Sequence, residues 1–184
     1  MISDETAYRR YLDGDQKAAD LLVEKYGDAL TLYINGYLKD MHEAEDLMIE
    51  TFSRIFAKER PLTGTGSFKA YLYKTARNLA FRYKKKRRPG FLCFDELDFE
   101  PCSDMLADTE LYRSERSRQL YDALEKLKAE YREALYLIYY EDMSYRNAAT
   151  VMKKSEEQIT KLVYRGKQRL KAILEQEGFT YADD

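Results

Sequence analysis

The sequence predicts an all-α protein built as two small helical domains joined by an acidic linker, with boundaries at residues 1–88, 89–110 and 111–184. Three observations predict it. Apolar residues recur at helical spacing along both halves of the chain, with no sustained alternation of the kind a strand needs. Charged residues make up 35% of the 184 positions, which suits small helical units with large solvated faces better than one thick core. The net charge of −2 is segregated: residues 1–88 carry a balance of +4, residues 89–110 carry −7 with no basic residue, and residues 111–184 carry +1.

In the first domain, Asp4–Asp13 reads as a short helix ended by Gly14, and Asp15 as the N-cap of the next. Gln16–Tyr26 and Asp28–Leu38 are amphipathic, with a break or bend expected near Gly27. Asp40 and Glu43 have the form of a capping box. The helix they open, Glu43–Lys58, buries Ala44, Leu47, Met48, Thr51, Phe52 and Ile55 and exposes Asp46, Glu50, Ser53 and Arg54. Glu59–Gly66 is a loop because one Pro and two Gly interrupt any helix.

Ser67–Arg88 contains neither Pro nor Gly and reads as a helix of about six turns with Ser67 as N-cap. Phe68, Leu72, Ala76, Leu79 and Tyr83 form its apolar stripe, opposite Tyr71, Lys74, Arg77, Asn78, Phe81, Arg82 and Lys85. Eight Lys or Arg and no Asp or Glu lie between Tyr73 and Arg88. A solvated helix ordinarily mixes its signs to gain i,i+4 pairs. Positive charge interleaved with aromatic rings instead suits a nucleic-acid strand, whose phosphates meet cations while its bases stack. The other reading is a basic surface helix whose Tyr71 and Phe81 pack beneath a neighbour.

Pro89-Gly90 closes the first domain, and Phe91–Thr109 reads as an extended or partly disordered connector. Its Phe91, Leu92, Phe94, Leu97 and Phe99 are too many for a passive spacer, so they are expected to dock on this chain or on a partner. Cys93 and Cys102 lack metal-ligand spacing and read as unpaired thiols, and the single histidine, His42, has no ligand partners nearby. No cofactor is expected. No apolar run reaches the ~18 residues of a membrane span, and MISDETAYRR lacks a signal-peptide core, so a cytoplasmic protein without membrane insertion is expected.

In the second domain Leu111–Lys128 and the tyrosine-rich Ala129–Glu141 are amphipathic. Ser144 with Asn147 opens a short helix through Met152, Lys153-Lys154 make a tight turn, and Ser155 with Gln158 forms a capping box for a longer basic helix. That is the outline of a helix-turn-helix. Ile159, Leu162, Val163, Gly166, Leu170 and Ile173 form the buried side of the second helix. Glu157, Thr160, Lys161, Tyr164, Arg165, Gln168 and Lys171 face away, with the hydrogen-bonding and cationic groups a major groove requires. A plain helical hairpin with a charged face is the alternative.

With these motifs in place the chain resembles the extracytoplasmic-function (ECF) subfamily of bacterial RNA polymerase sigma factors. EAEDLMIETF (Glu43–Phe52) and SFKAYLYKTARNLAFRY (Ser67–Tyr83) resemble sigma region 2, while MSYRNAATVM and SEEQITKLVYRGKQRL resemble region 4. The resemblance implies a non-enzymatic subunit that binds core RNA polymerase and promoter DNA and directs initiation, with an anti-sigma factor as a further partner. It implies a polymerase-binding face at Asp46, Ile49, Glu50 and Arg54. It implies −10 contacts from Thr63, Gly64, Thr65, Tyr71, Lys74, Arg77, Asn78 and Arg82, the loop and helix N-terminus offering N–H groups to phosphate and Tyr71 a stacking ring. The −35 duplex falls to Glu157, Thr160, Lys161, Tyr164, Arg165 and Gln168, and the acidic connector to a polymerase cleft. This sequence departs from the family pattern at Ile49 (usually Gln), Tyr71 (often Trp), Lys128 (usually Pro), Lys153-Lys154 (often Gly-Ile) and Leu162 (frequently Arg). A conventional regulator that binds operator DNA through Ser144–Lys171 is the competing reading, and it leaves the cationic run of Tyr73–Arg88 and the acidic pair Asp46/Glu50 without a role. A catalyst finds no support in any phosphate-binding Gly loop, activated nucleophile or metal cluster.

Overall fold

A computed structural model describes residues 2–62, 66–87, 98–101 and 115–179, and all the regular structure among them is helical. The first unit contains α1 (Asp4–Leu12), α2 (Gln16–Leu38), α3 (Met41–Lys58) and α4 (Phe68–Arg87). The second contains α5 (Glu115–Glu125), α6 (Ala129–Leu135) prolonged by a π turn (Tyr136–Tyr140), α7 (Tyr145–Met152) and α8 (Glu156–Gln176). The expected side chains set the helix boundaries. Asp15 caps α2, Ser144 accepts from the Asn147 N–H, and the Ser155/Gln158 capping box makes both of its bonds, at 3.1 and 2.8 Å; Ser3, which the sequence pattern did not single out, caps α1. Asp40 caps α3 through the Glu43 N–H at 3.1 Å, while the Glu43 side chain turns to Arg87 of α4.

Three expectations change. α2 runs unbroken through Gly27, because Leu22, Tyr26, Leu30, Tyr33, Ile34 and Tyr37 all bury along it. Their burial outweighs the ~0.5–1 kcal/mol an interior helical glycine costs. On α4 the buried set is wider than one stripe: Tyr73, Arg77 and Ala80 are covered along with Phe68, Leu72, Ala76 and Leu79. A second apolar contact explains this, since α4 packs not only on α2 and α3 but also on α7 of the other unit. Third, the N-terminus of α4 is already partnered, as the Phe68 N–H donates to the Glu5 carboxylate (3.2 Å) and the Ala70 N–H to Ser67 Oγ (3.4 Å).

The two units therefore share one core. Tyr33 stacks on Tyr136 with ring centroids 5.8 Å apart, and Lys69 of α4 donates to the Glu141 carbonyl (2.5 Å) and lies 3.0 Å from its carboxylate. The connector takes part through residues 98–101, with Phe99 fully buried between the units. Phe91, Leu92, Phe94, Leu97, Cys93 and Cys102 lie outside the described residues, as does the Leu111–Ser114 start of the expected helix.

Candidate nucleic-acid and polymerase-binding faces

Helical spacing on α3 puts Asp46, Ile49, Glu50 and Arg54 on its outer side. Asp46 and Ile49 are exposed, Ile49 at 59% of its full surface. Glu50 and Arg54 satisfy each other as an i,i+4 pair at 2.7 Å, which leaves Asp46 and the Ile49 side chain as the free part of this face.

Between α3 and α4 runs an open groove of about 220 Å³ lined by Arg54, Lys58, Tyr71, Lys74, Asn78 and Arg82, with Thr75 and Leu79 at its floor. Four cations, one ring and one amide converge there, Arg54 already paired with Glu50, and no carboxylate among the described residues lines it. Tyr71, Lys74, Asn78 and Arg82 of the expected −10 set are thus brought together, joined by Lys58, which the sequence pattern did not single out. The i,i+4 spacing of Arg54 and Lys58 on α3 is the signal that could have placed it. Thr63, Gly64 and Thr65 lie outside the described residues.

Arg77 departs from the expected set. It is 5% exposed and points away from the groove into the junction between the units. Its Nε and second guanidinium nitrogen donate to the two Glu133 carboxylate oxygens at 2.7 and 3.1 Å. Tyr33 and Tyr37 donate to the same carboxylate at 2.9 and 2.5 Å, so four hydrogen bonds hold one buried Glu. Burial works to lower the Arg77 pKa, but the Glu133 charge outweighs it and the net direction is upward. Both tyrosines are pushed well above their ordinary value of 10, first by burial and then by Glu133. Neither Glu133 nor its ring partners were singled out from the sequence. The available signal was an Arg-Glu pair, Arg132-Glu133, leading straight into the apolar run Ala134–Ile138.

On α8 the expected outward residues Glu157, Thr160, Lys161, Tyr164, Arg165 and Gln168 are all exposed, Tyr164 at 65%. Lys161 is held by Glu157 at 2.5 Å. Ile159, Val163, Gly166 and Ile173 are buried as expected, Leu162 and Leu170 only partly. The turn before α8 places Lys153 at φ +55°, the left-handed region that favours Gly and that the family's usual residue would occupy without strain. Lys153 approaches α4, and its pKa is lowered by partial burial and then by the positive charges of Arg77, Lys74 and Arg82.

A basic groove on one helical unit and a helix-turn-helix on the other match known proteins in the same order. Residues 22–89 match the family model of sigma-70 region 2, and residues 117–170 that of sigma-70 region 4. The chain belongs to the sigma-70 family, in its ECF group. The ECF RNA polymerase sigma factor SigM of Bacillus subtilis is 28% identical over 154 residues, 84% of this chain and 93% of that protein. The RNA polymerase sigma-H factor of Pseudomonas aeruginosa is 26% identical over 181 residues, 94% of each chain. Two solved structures share the fold. One is CnrH bound to the cytosolic domain of CnrY, with TM-score 0.65, 20% identity and coverage of 95% of this chain and 99% of that one. The other is the sigma factor RpoE bound to the anti-sigma factor NepR from Bartonella quintana, with TM-score 0.60, 23% identity, and 85% and 96% coverage. In this sigma factor the region 2 match spans the α3 face and the α3–α4 groove, and the region 4 match spans the helix-turn-helix. A plain operator-binding regulator leaves the region 2 match unexplained. No described helix is long and apolar enough to cross a membrane, and no described cluster of His, Cys, Asp or Glu could hold a metal ion.

Proposed function

We propose that this ECF sigma factor, itself no catalyst, docks on core RNA polymerase through Asp46 and Ile49 of α3, with Glu50 and Arg54 flanking. Residues 1–88 then serve polymerase and the melted −10 strand, 89–110 tether, and 111–184 read the −35 duplex. Tyr71, Lys74, Asn78 and Arg82, with Lys58, hold the opened strand in the α3–α4 groove. The α8 face of Glu157, Thr160, Lys161, Tyr164, Arg165 and Gln168 enters the major groove. The observation that carries this reading is the groove in which Lys58, Lys74 and Arg82 surround Tyr71 and Asn78 with no carboxylate among the described lining residues. Phosphates, a stacking base and a hydrogen-bonding base edge each find a counterpart there. Phosphate binding at the α4 N-terminus is not part of the proposal, because Glu5 and Ser67 already accept from the Phe68 and Ala70 N–H groups there.

The protein works in the cytoplasm, where polymerase is, and an anti-sigma factor is its expected inhibitor, as NepR is the anti-sigma partner of the structurally similar RpoE. Run-off transcription with core polymerase on the protein's own upstream DNA tests the reading. Synthesis from a defined start only when the protein is added is the expected result. Well-folded protein that leaves core polymerase unable to initiate on any bacterial template would overturn it.

A further inference from the structure

The short connector segment Asp98–Pro101 is bonded to both helical units at once. On the first unit, the Glu100 N–H donates to the Gly36 carbonyl at 2.9 Å and the Glu100 carboxylate pairs with Lys39. On the second, Arg132 donates to the Phe99 carbonyl (2.7 Å) and to Asp98 (2.7 Å), and Tyr121 donates to the Pro101 carbonyl (3.1 Å). Between these tethers the Phe99 ring is fully buried among Tyr37, Tyr136 and Tyr33, with centroids 4.9, 5.4 and 5.5 Å away. Its seat is Gly36: a Cβ there would lie 2.6 Å from Phe99 Cε2, inside contact distance. Glycine inside a helix is unfavourable for the free helix, so what it provides here is room for the ring.

This closure has a consequence of length. Folded as one body, 184 residues have a radius of gyration of about 16 Å, or a diameter of roughly 40 Å. Promoter elements centred at −35 and −10 lie about 25 base pairs apart, roughly 85 Å at 3.4 Å per base pair. The closed chain cannot reach both. Closure also buries Arg77.

We propose that Asp98–Pro101 is an autoinhibitory clasp, in which Phe99 seated against Gly36 holds the two promoter-reading units closed until core polymerase pulls the segment free. The proposal rests on the sigma-factor reading for its meaning, while the clasp itself is testable without polymerase. Two full-length variants attack it from opposite sides: Phe99→Ala removes the ring, and Gly36→Val fills its seat. Small-angle scattering of the free wild-type chain should give a radius of gyration near 16 Å, and both variants should rise beyond about 20 Å with unchanged helical circular dichroism. Because only the open form binds, both should also bind core polymerase at least about fivefold more tightly. An unchanged radius in both variants overturns the clasp. So does opening without tighter polymerase binding, or loss of helical content in both, which would make the segment ordinary core. If both variants open and bind polymerase tightly while neither they nor the wild type initiate, the function reading fails and the clasp stands.

Discussion

Glu133→Gln should open the molecule, while Arg77→Met combined with Glu133→Leu should leave it closed. The single change keeps the volume and leaves an amide oxygen to accept from Tyr33 and Tyr37, so its main effect is to remove one charge. Arg77, only 5% exposed, then sits in the junction without its carboxylate. Breaking a buried pair from one side costs about 3–5 kcal/mol, because desolvation of the remaining ion is no longer offset. At 1.4 kcal/mol per factor of ten, the closed-to-open ratio falls roughly a hundred- to several-thousand-fold. Arg77 lies at the contact between the units, so separating them rehydrates it without unfolding either. The double variant removes both charges, and such replacements range from neutral to about 1–4 kcal/mol stabilising. It strands at most part of the tyrosine pair, whose hydroxyls still lie 3.2 Å from each other, at a cost of about 1 kcal/mol. Distances between dyes on α1 and α8, with amide exchange of α4 and α7, report the opening. A double variant as open as the single one, or a single variant that stays closed, would refute the reasoning.

Alkaline titration should be cooperative. Tyr33, Tyr37, Tyr73 and Tyr136 are raised well above 10 and Tyr8 is pushed up to about 12, in every case chiefly by burial. Their raised folded-state values make the stabilisation complete below pH 10 and progressively weaker above it; urea midpoints that stay flat from pH 8 to 11.5 would contradict this. Asp46→Lys with Glu50→Lys in the full chain should abolish polymerase co-elution and leave −35 duplex affinity unchanged; equal loss in both assays would remove the α3 face from its assigned role. Lys161→Ala with Arg165→Ala should weaken promoter-duplex binding and reduce the slope of log K against log salt by about 0.9 for each phosphate no longer neutralised, whereas an unaltered slope would exclude both side chains from the DNA backbone.

The candidate faces were legible to different degrees. On α8 every expected outward residue is exposed, because a capped amphipathic helix on a small domain has only one way to bury its stripe. On α4 the same spacing argument misplaced Arg77. Its position opposite the apolar stripe was right for α4 packed within its own unit and wrong once α7 covered a second side. Phe99 was expected to dock, but neither its site nor its partners could be read from the chain. Gly36, unremarked in the sequence, proved to be the residue whose missing Cβ makes room for the ring.

Local order along this chain was settled by the sequence. Caps at Ser3, Asp15, Asp40, Ser144 and Ser155, the loop around Pro61, and the stripes of α3 and α8 all depend on residues within a few positions of one another. Hydrogen bonds at helix ends and burial at a 3.6-residue period are short-range physics. Which basic residues line a groove and which are buried across a junction was decided only by the tertiary structure. Arg77 and Glu133 are 56 positions apart and Gly36 and Phe99 are 63 apart, so no local pattern couples them. Their meeting follows from two apolar surfaces, each without enough partner in its own unit, closing on one another around a single aromatic ring.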